Sequence, residues 1–285
     1  MKLITWNTQW CRGVDRRVDP ARIVREIRAI ADFDVLCLQE IANNFPDPRL
    51  ASSRGENQFA ELSRLLPDYQ PVPGVAVDVE AADGGRRHFG NMIFSRYPVG
   101  QVFRHLLPYP VDPGVNGMPR IALEAVIAAP FGGVRVITTH LEYYGKLKRT
   151  AQVEALRTLY AEGSGHARLG TIVDREGGPF ETRLRPAATV ITGDFNFEPD
   201  DLLHLRMGEA FADGTPRLVD AWEVAHPGEP HAATFRIYEK DEPSEPEQHC
   251  DFIFVSVDLV PRVKALRVDG NTQASDHQPV YLELA

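Results

Sequence analysis

The 285-residue sequence predicts an α/β fold of the α+β type, with stacked mixed β-sheets and helices on their outer sides. Nine short runs rich in Val, Ile, Leu and Thr predict strands, and three segments repeat apolar residues at helical spacing. Several strands follow one another with no helix between them, which argues against a doubly wound parallel sheet. No shift in composition marks a domain boundary, so we expect one domain over residues 1–285.

The predicted strands are bounded by Gly, Pro or Asp, and some are continuously apolar, as expected of strands buried on both faces. In chain order they cover residues 2–7, 35–41, 91–95, 121–128, 134–141, 188–193, 251–257, 263–268 and 279–284. The stretch "IALEAVIAAPFGGVRVITTHL" predicts a hairpin with a Gly-Gly turn.

Helical patterns lie between some of these strands. In "DPARIVREIRAIA", Asp19 is a candidate N-cap, Pro20 fits the first turn, and isoleucines then recur at helical spacing. Two further helices are predicted over residues 59–66, which Pro67 ends, and 147–160. We expect loops that set substrate specificity over residues 43–57, 78–88, 108–119 and 163–186, and a further loop, acidic and Pro-rich, over 239–248.

Composition limits the function classes. The net charge is −9, which counts against a generic binder of nucleic acid or anionic membranes, because such binding needs clustered Lys and Arg. The three cysteines leave at least one unpaired and show no zinc-site spacing, which suits a reducing compartment. Neither a membrane span nor an apolar signal segment is present, so we expect a soluble cytoplasmic protein without stable membrane association. No obligate protein partner is evident.

Polar side chains recur where the predicted strands stop or start. Single such residues are ordinary in loops, but strand ends gathered on one rim of a scaffold can form one pocket. The residues in question are Asn7, Glu40, His140, Asp194 with Asn196, Asp251, and Asp276 with His277. The stretch "TGDFN" alone predicts a turn, and an extended backbone there would project Asp194 and Asn196 to one side with Phe195 toward the core.

These residue types fit the hydrolysis of a phosphate ester. That reaction needs a hard cation, a group that orients water, and donors for the phosphate oxygens. Glu40 is the leading ligand for the cation, because Mg²⁺ needs only one or two carboxylates, and Asp194 is the candidate for the water. Asn7 and Asn196 offer neutral donors. His140 and His277 can donate to phosphate, and Asp251 can keep His277 cationic.

Seven motifs together resemble the endonuclease/exonuclease/phosphatase superfamily, which includes deoxyribonuclease I, abasic endonucleases, inositol polyphosphate 5-phosphatases and neutral sphingomyelinases. They are "TWN", "LQE", "GNMIFSRYP", "TTHLE", "ITGDFN", "CDFIFVS" and "SDHQPV", in the family's order over residues 5–280. The resemblance implies a four-layer sandwich of two stacked mixed β-sheets with helices on the outer faces. It also implies a divalent cation, Mg²⁺ or Mn²⁺.

The resemblance also implies roles for the motif residues. Glu40 looks like the main metal ligand, supported by Asn7 and Asp276, and Asp194 looks like the residue that activates water. The remaining roles are a phosphate contact for Asn196 and for His140, and a transition-state donor in His277 paired with Asp251. Nothing fixes Arg120, Tyr143 or Tyr144, although all could line the pocket and Arg120 could bind substrate.

Three functions stay open at this point. The first is a metal-dependent phosphodiesterase of the endonuclease type. The second is a phosphomonoesterase that acts on a small phosphorylated molecule or a lipid headgroup, and the third is a non-catalytic binding module on the same fold. His140 stands where abasic endonucleases of the family typically have Tyr, which counts against an abasic-site role.

Overall fold

A computed structural model describes residues 1–50, 52–169, 178–181, 183–238 and 246–285. Its strands are β1 Lys2–Asn7, β2 Val35–Asn43, β3 Gln70–Glu80, β4 Arg86–Ser95, β5 Val99–Leu106, β6 Ile121–Ala129, β7 Gly132–His140, β8 Thr189–Asp194, β9 Leu218–Asp220, β10 Asp251–Ser256, β11 Val263–Val268 and β12 Val280–Leu284. Its α-helices are α1 Pro20–Ile30, α2 Gln58–Leu65, α3 Lys146–Leu169, α4 Leu202–Gly208 and α5 Ala221–Ala225, with 3₁₀ turns at Gln9–Cys11 and Val257–Arg262. Each predicted strand and helix is present.

The strands form two six-stranded mixed sheets. The first has the order β11-β12-β1-β2-β4-β3, and the second has the order β5-β6-β7-β8-β10-β9. Each sheet contains one parallel pair, β1 with β2 and β7 with β8, and its other pairs are antiparallel. The two parallel pairs are therefore central in their sheets.

Three apolar clusters explain the layers. The first joins the inner faces of the two sheets and includes Leu3, Val35, Leu123 and Val136. The second packs α1 and α2 on the first sheet, and the third packs α3 and α4 on the second. The result is the predicted four-layer sandwich of two stacked mixed sheets with helices on the outer faces. None of the helices within the described ranges combines the length and apolar character that a membrane span requires.

Several predicted boundaries were wrong. The predicted loop 78–88 is mostly strand, because β3 and β4 pair from Glu80 and Arg86 onward. The β6–β7 turn lies at residues 130–131 and not at the two glycines, which already belong to β7. Strands β3, β5 and β9 and helices α4 and α5 were missed. The predicted loop 239–248 lies mainly outside the described residues.

Helix α3 extends to Leu169, past the predicted start of a loop at residue 163. Arg135 is fully buried under this helix and donates hydrogen bonds to the carbonyl oxygens of Pro186 and Tyr160. Gly163 leaves the space for this guanidinium, since a Cβ there would lie 1.7 Å from Nη1. The packing with Arg135 therefore accounts for a helical glycine that sequence propensity alone would place in a loop.

Candidate active site

Sheet register gathers three of the predicted site residues. The parallel pairing of β7 with β8 places His140 beside Asp194, and the antiparallel pairing of β10 with β8 places Asp251 on the other side. Strands β7 and β8 approach each other this closely because residue 193 is a glycine, with φ of 136°. A Cβ on Gly193 would lie 1.9 Å from the Thr139 carbonyl oxygen.

One oxygen, Asp194 Oδ2, lies close to three other side chains of the site. It accepts a hydrogen bond from Asn7 Nδ2 at 2.9 Å, and it lies 3.4 Å from His140 Nε2 and 3.7 Å from His277 Nε2. Burial raises the pKa of Asp194 to about 6, against the opposing effect of the charge on His277. A carboxylate that titrates near neutral pH is suited to accept a proton from water.

His277 is held as a cation by its neighbours. Its Nδ1 lies 2.8 Å from Asp251 Oδ2, which also accepts a hydrogen bond from the Thr234 hydroxyl at 2.7 Å. The ring of Phe235 stacks on the imidazole at 4.5 Å. Burial alone would lower the pKa of His277, but the carboxylates of Asp251 and Asp194 outweigh it and raise the pKa well above its usual range. The imidazolium can therefore donate from Nε2 toward the cavity.

The sequence predicted that β2 stops at Glu40, but the strand continues to Asn43. The pairing of β2 with β4 is irregular between Leu38 and Ile41, and Glu40 has a left-handed φ of 60° within this bulge. A β-bulge re-aims a side chain, and here it turns Glu40 into the cavity. Its Oε1 accepts a hydrogen bond from Asn7 Nδ2 at 3.3 Å.

The environment of Glu40 fits a hard cation. Its other oxygen, Oε2, is buried without a hydrogen-bond partner. Burial raises the pKa of Glu40 to about 7, and the nearby carboxylate of Asp276 adds to the rise. Gln9 and Ser275 donate to the two oxygens of Asp276 and fix its orientation. A bound Mg²⁺ or Mn²⁺ would satisfy the unpartnered oxygen and remove the repulsion between the two carboxylates.

A tighter group of metal-ligating atom types lies elsewhere in the site. Ligand atoms of Asp194, Cys250 and His277 are all within 4.8 Å of one another. Burial raises the pKa of the Cys250 thiol well above its usual range, so the thiolate that a soft metal needs is disfavoured. The oxygen donors Glu40 and Asp276 remain the better match to Mg²⁺ or Mn²⁺.

His140 is a neutral imidazole. Burial lowers its pKa well below the usual range, and the charges of Arg120 and His277 add to the effect. Its Nδ1 lies 3.8 Å from Glu40 Oε1, so the ring spans the space between Glu40 and Asp194. Arg120 is buried 4.0 Å from Glu142, and its Nε and Nη1 have no hydrogen-bond partner. These donors are suited to the oxygens of a phosphate.

Asn196 follows Asp194 in a turn and not on extended backbone, so the predicted geometry was wrong. Its φ is 53°, and its backbone N–H donates to Asp194 Oδ1 at 3.0 Å. Its Nδ2 donates to the Leu141 carbonyl oxygen at 2.9 Å, which leaves Oδ1 and the second amide hydrogen toward the cavity. Phe195 is fully buried, as predicted. The stretch "TGDFN" therefore forms a turn, and its residues Asp194 and Asn196 line the cavity.

The cavity has a volume of about 540 Å³. It is lined by Gln9, Trp10, Glu40, Phe89, Asn116, Gly117, Met118, Arg120, His140, Glu142, Tyr143, Tyr144, Asp194, Asn196, Phe235, Asp276 and His277. Of the predicted site residues, Asn7 and Asp251 stand behind this lining and orient Asp194 and His277. Sequence reasoning missed Gln9, Trp10, Phe89, Glu142 and Phe235. Glu142 lies within the motif "TTHLE", and Gln9, Trp10 and Phe89 lie beside other motifs, so these four could have been found.

Other polar residues that the sequence singled out have structural contacts. Lys148 is buried and donates to the carbonyl oxygens of Val115 and Asn116. His204 and His231 each place Nε2 2.8 Å from Asp220 Oδ2. Asp220 also accepts a hydrogen bond from the Trp222 backbone N–H, so it ties both imidazoles to the N-terminus of α5.

Comparison with known proteins identifies the family of the chain. The profile of the endonuclease/exonuclease/phosphatase family matches residues 4–277. The chain belongs to this family. Among curated proteins, none matches the chain significantly.

Solved structures of the family have the same fold. An endonuclease/exonuclease/phosphatase from Beutenbergia cavernae is 25% identical with a TM-score of 0.70, and the match covers all of this chain and 72% of that one. A humanized TDP2 from D. rerio is 17% identical (TM-score 0.64; 100% and 98% covered). A mannosyl-6-phosphatase from Bacteroides thetaiotaomicron is 19% identical (TM-score 0.61; 100% and 99% covered). At these identities the last two matches show the fold alone.

Proposed function

We propose that this family member is a metal-dependent phosphoesterase that cleaves a phosphate ester with activated water, as a phosphodiesterase of the endonuclease type. The alternative within the same chemistry is a phosphomonoesterase acting on a small phosphorylated molecule or lipid headgroup. The observation that carries the proposal is the convergence of Asn7, His140 and His277 on one oxygen of buried Asp194 at the wall of an open cavity. The family's name covers endonucleases, exonucleases and phosphatases, all of which cleave phosphate esters.

In this proposal Asp194 orients the attacking water and accepts its proton. Asn7 holds the carboxylate by donating to Oδ2, and the Asn196 backbone N–H holds Oδ1. His277 donates from Nε2 to a phosphate oxygen, where negative charge grows in the transition state, and Asp251 keeps the imidazole charged and oriented. Neutral His140 and the unpartnered donors of Arg120 bind the remaining phosphate oxygens.

Glu40 and Asp276 would hold Mg²⁺ or Mn²⁺ in this proposal, with Asn7 beside Glu40. When bound, the cation supplies charge neutralisation at the phosphate and at the leaving oxygen. We also propose that residues 1–285 act as one catalytic domain, since both sheets contribute to the candidate site: Asn7 and Glu40 come from the first sheet, and His140 and Asp194 come from the second.

A phosphoester panel tests the proposal. Purified protein with Mg²⁺ or Mn²⁺ is assayed on single-stranded and duplex nucleic acid, nucleotides, phosphoinositides, sphingomyelin and an aryl phosphodiester. We expect hydrolysis of at least one class, and a kcat about 10²–10⁴-fold lower in Asp194→Asn, because the proton acceptor is lost. Exposed Asp200→Asn is the matched control and should keep full activity. The proposal fails if no ester is cleaved or if Asp194→Asn behaves like the control.

A further inference from the structure

A second cavity of about 550 Å³ adjoins the candidate active site. Three residues, Trp10, Phe89 and Met118, line both cavities, so the two spaces share one wall. The full lining of this Trp10 groove is Trp10, Ala42, Phe45, Pro46, Asp47, Pro48, Arg49, Val77, Phe89 and Met118. Its lining is apolar apart from Asp47 and Arg49, which form an ion pair with each other at 2.8 Å. No other lining residue carries a charge.

The aromatic side chains of the groove are only half-buried. Phe45 and Phe89 meet edge to face with ring centroids 6.4 Å apart, and the guanidinium of Arg87 lies 5.7 Å from the centroid of the Phe45 ring. Trp10 and Met118 are likewise half-buried where the groove opens into the catalytic cavity. Apolar side chains that line an open groove beside a polar site form a surface able to bury an apolar group.

The segment that carries Trp10 also supports the catalytic groups. Gln9, Trp10 and Cys11 all have left-handed φ angles, of 46°, 44° and 63°. Three consecutive non-glycine residues in this conformation are costly, and such strain persists where surrounding contacts hold it. Gln58 Nε2 donates to the Trp10 carbonyl oxygen at 2.7 Å.

The contacts of Gln9 complete this link. Its backbone N–H donates to Asn7 Oδ1 at 3.1 Å, and its side-chain amide donates to Asp276. One strained turn therefore fixes the backbone at Trp10 relative to two predicted metal-site residues, Asn7 and Asp276.

We propose that the Trp10 groove binds a large apolar substituent on the phosphate ester; this rests on the phosphodiester cleavage proposed above and not on a nucleic-acid substrate. A phosphate held at His277 and Arg120 would place one ester oxygen toward the shared wall, and the groove would receive the group attached to it. A nucleic-acid strand fits less well, because continuing it through the groove would bring further phosphates to a surface whose only basic lining residue, Arg49, is already paired.

The test is a series of methyl phosphodiesters whose second substituent is methyl, butyl, octyl or 2-phenylethyl, followed by ³¹P NMR below any micelle concentration. Each methylene that the groove buries improves binding by up to about fourfold. We expect KM to fall at least about tenfold from methyl to octyl. The 2-phenylethyl ester separates an aromatic preference from a purely aliphatic one.

Variants locate the effect. Phe45→Ala and Val77→Asp should each flatten the dependence of KM on chain length, whereas Phe180→Ala, the same substitution at a side chain that is 88% exposed, should retain it. A KM independent of chain length, or an equal slope in Phe45→Ala, overturns the groove while the phosphoesterase function stands.

If no ester in the series is cleaved, the phosphoester panel described above still decides the function, and titration calorimetry then compares binding of the octyl and methyl esters to the protein. Tighter octyl binding that Phe45→Ala removes would still support the groove. Equal binding of the two esters would refute it.

Discussion

Glu40 and Asn196 have left-handed backbone conformations, with φ of 60° and 53°. Residues other than glycine adopt this region at a cost of order 1–3 kcal/mol, and they keep it where other contacts over-determine it. Both side chains line the cavity of the candidate active site, and Glu40 has a buried oxygen without a hydrogen-bond partner. We interpret the unsatisfied carboxylate of Glu40 on a strained backbone as a metal ligand, because a divalent cation would satisfy its unpartnered oxygen.

Glu40→Gln tests this interpretation directly. We expect the affinity for Mg²⁺ to fall at least about tenfold, because a unit charge about 4 Å away contributes about 4 kcal/mol at an effective dielectric constant near 20. Titration calorimetry with Mg²⁺ and Mn²⁺ measures the change without any substrate. Folding should survive, since the amide keeps the shape of the side chain.

Glu80→Gln provides the matched control, since Glu80 is exposed at the end of β3. It should bind the cation as the wild type does. Equal affinity in Glu40→Gln and Glu80→Gln would contradict the placement of the cation at Glu40.

At this scale the sequence identified the residues that lie in motifs and missed those that reach the site through the fold. Asp194, Asp251 and His277 follow from the motif set, and the structure places them together. Phe235, which stacks on His277, lies in a segment without any strand or motif signal. The bulge at Glu40 was also invisible, because an apolar run does not show where its register will slip.

Among the elements, β7 and β8 determine how the site is assembled. They are parallel neighbours, and Gly193 lets the chain at Asp194 approach Thr139 more closely than any side chain would allow. The hydrophobic pattern predicted both strands, but sheet order and this close approach depend on contacts far apart in the sequence. The same limit explains why the predicted helix ended before Gly163. This glycine belongs to α3 and leaves the space that the Arg135 side chain occupies.

Gly193→Ala should destabilise the protein more than backbone strain alone accounts for. The new Cβ would lie 1.9 Å from the Thr139 carbonyl oxygen, so β7 and β8 must separate. Gly132→Ala is the matched control, because Gly132 also has a positive φ, of 124°, but has open space around it. Backbone strain costs about 1–3 kcal/mol in both variants, and the clash should add about 2 kcal/mol in Gly193→Ala alone.

Urea unfolding of the two variants measures this difference from their midpoints and m-values. Equal losses of the free energy of unfolding would mean that β7 and β8 adjust to the extra carbon at no cost. In that case the glycine would be needed only for its φ angle.

For the whole molecule, the geometry of the candidate site depends on how the two sheets pack. Gln39 donates to Thr5 within the first sheet and to Thr138 of the second sheet, at 3.1 and 2.8 Å. This buried bridge is adjacent to Glu40 in sequence and two residues from His140. The layered architecture could be predicted from the strand and helix pattern, but the order of strands in each sheet could not, since residues far apart in the sequence decide it.

The second sheet also depends on a buried carboxylate away from the cavity. Asp220 lies between His204 of α4 and His231, and it caps α5 through the Trp222 backbone N–H. Burial alone would raise its pKa, but the hydrogen bonds from the two imidazoles outweigh it and lower the pKa to about 2. Because the folded pKa lies below the unfolded value near 3.8, this carboxylate stabilises the fold at pH above 3.8.

That contribution, about 2 kcal/mol for a shift of this size, should disappear as the pH falls from about 4 through about 2. We expect the free energy of unfolding of Asp220→Asn to be lower than that of the wild type at pH 7, with the gap narrowing by about 2 kcal/mol toward pH 2. Urea unfolding at a series of pH values measures the free energy of unfolding of both proteins. The titration of all other carboxylates cancels in the difference between the two. Asp200→Asn, at an exposed position, should run parallel to the wild type across the series. A constant gap between Asp220→Asn and the wild type would instead mean that packing, and not the charge of Asp220, holds α4 and α5 to the second sheet.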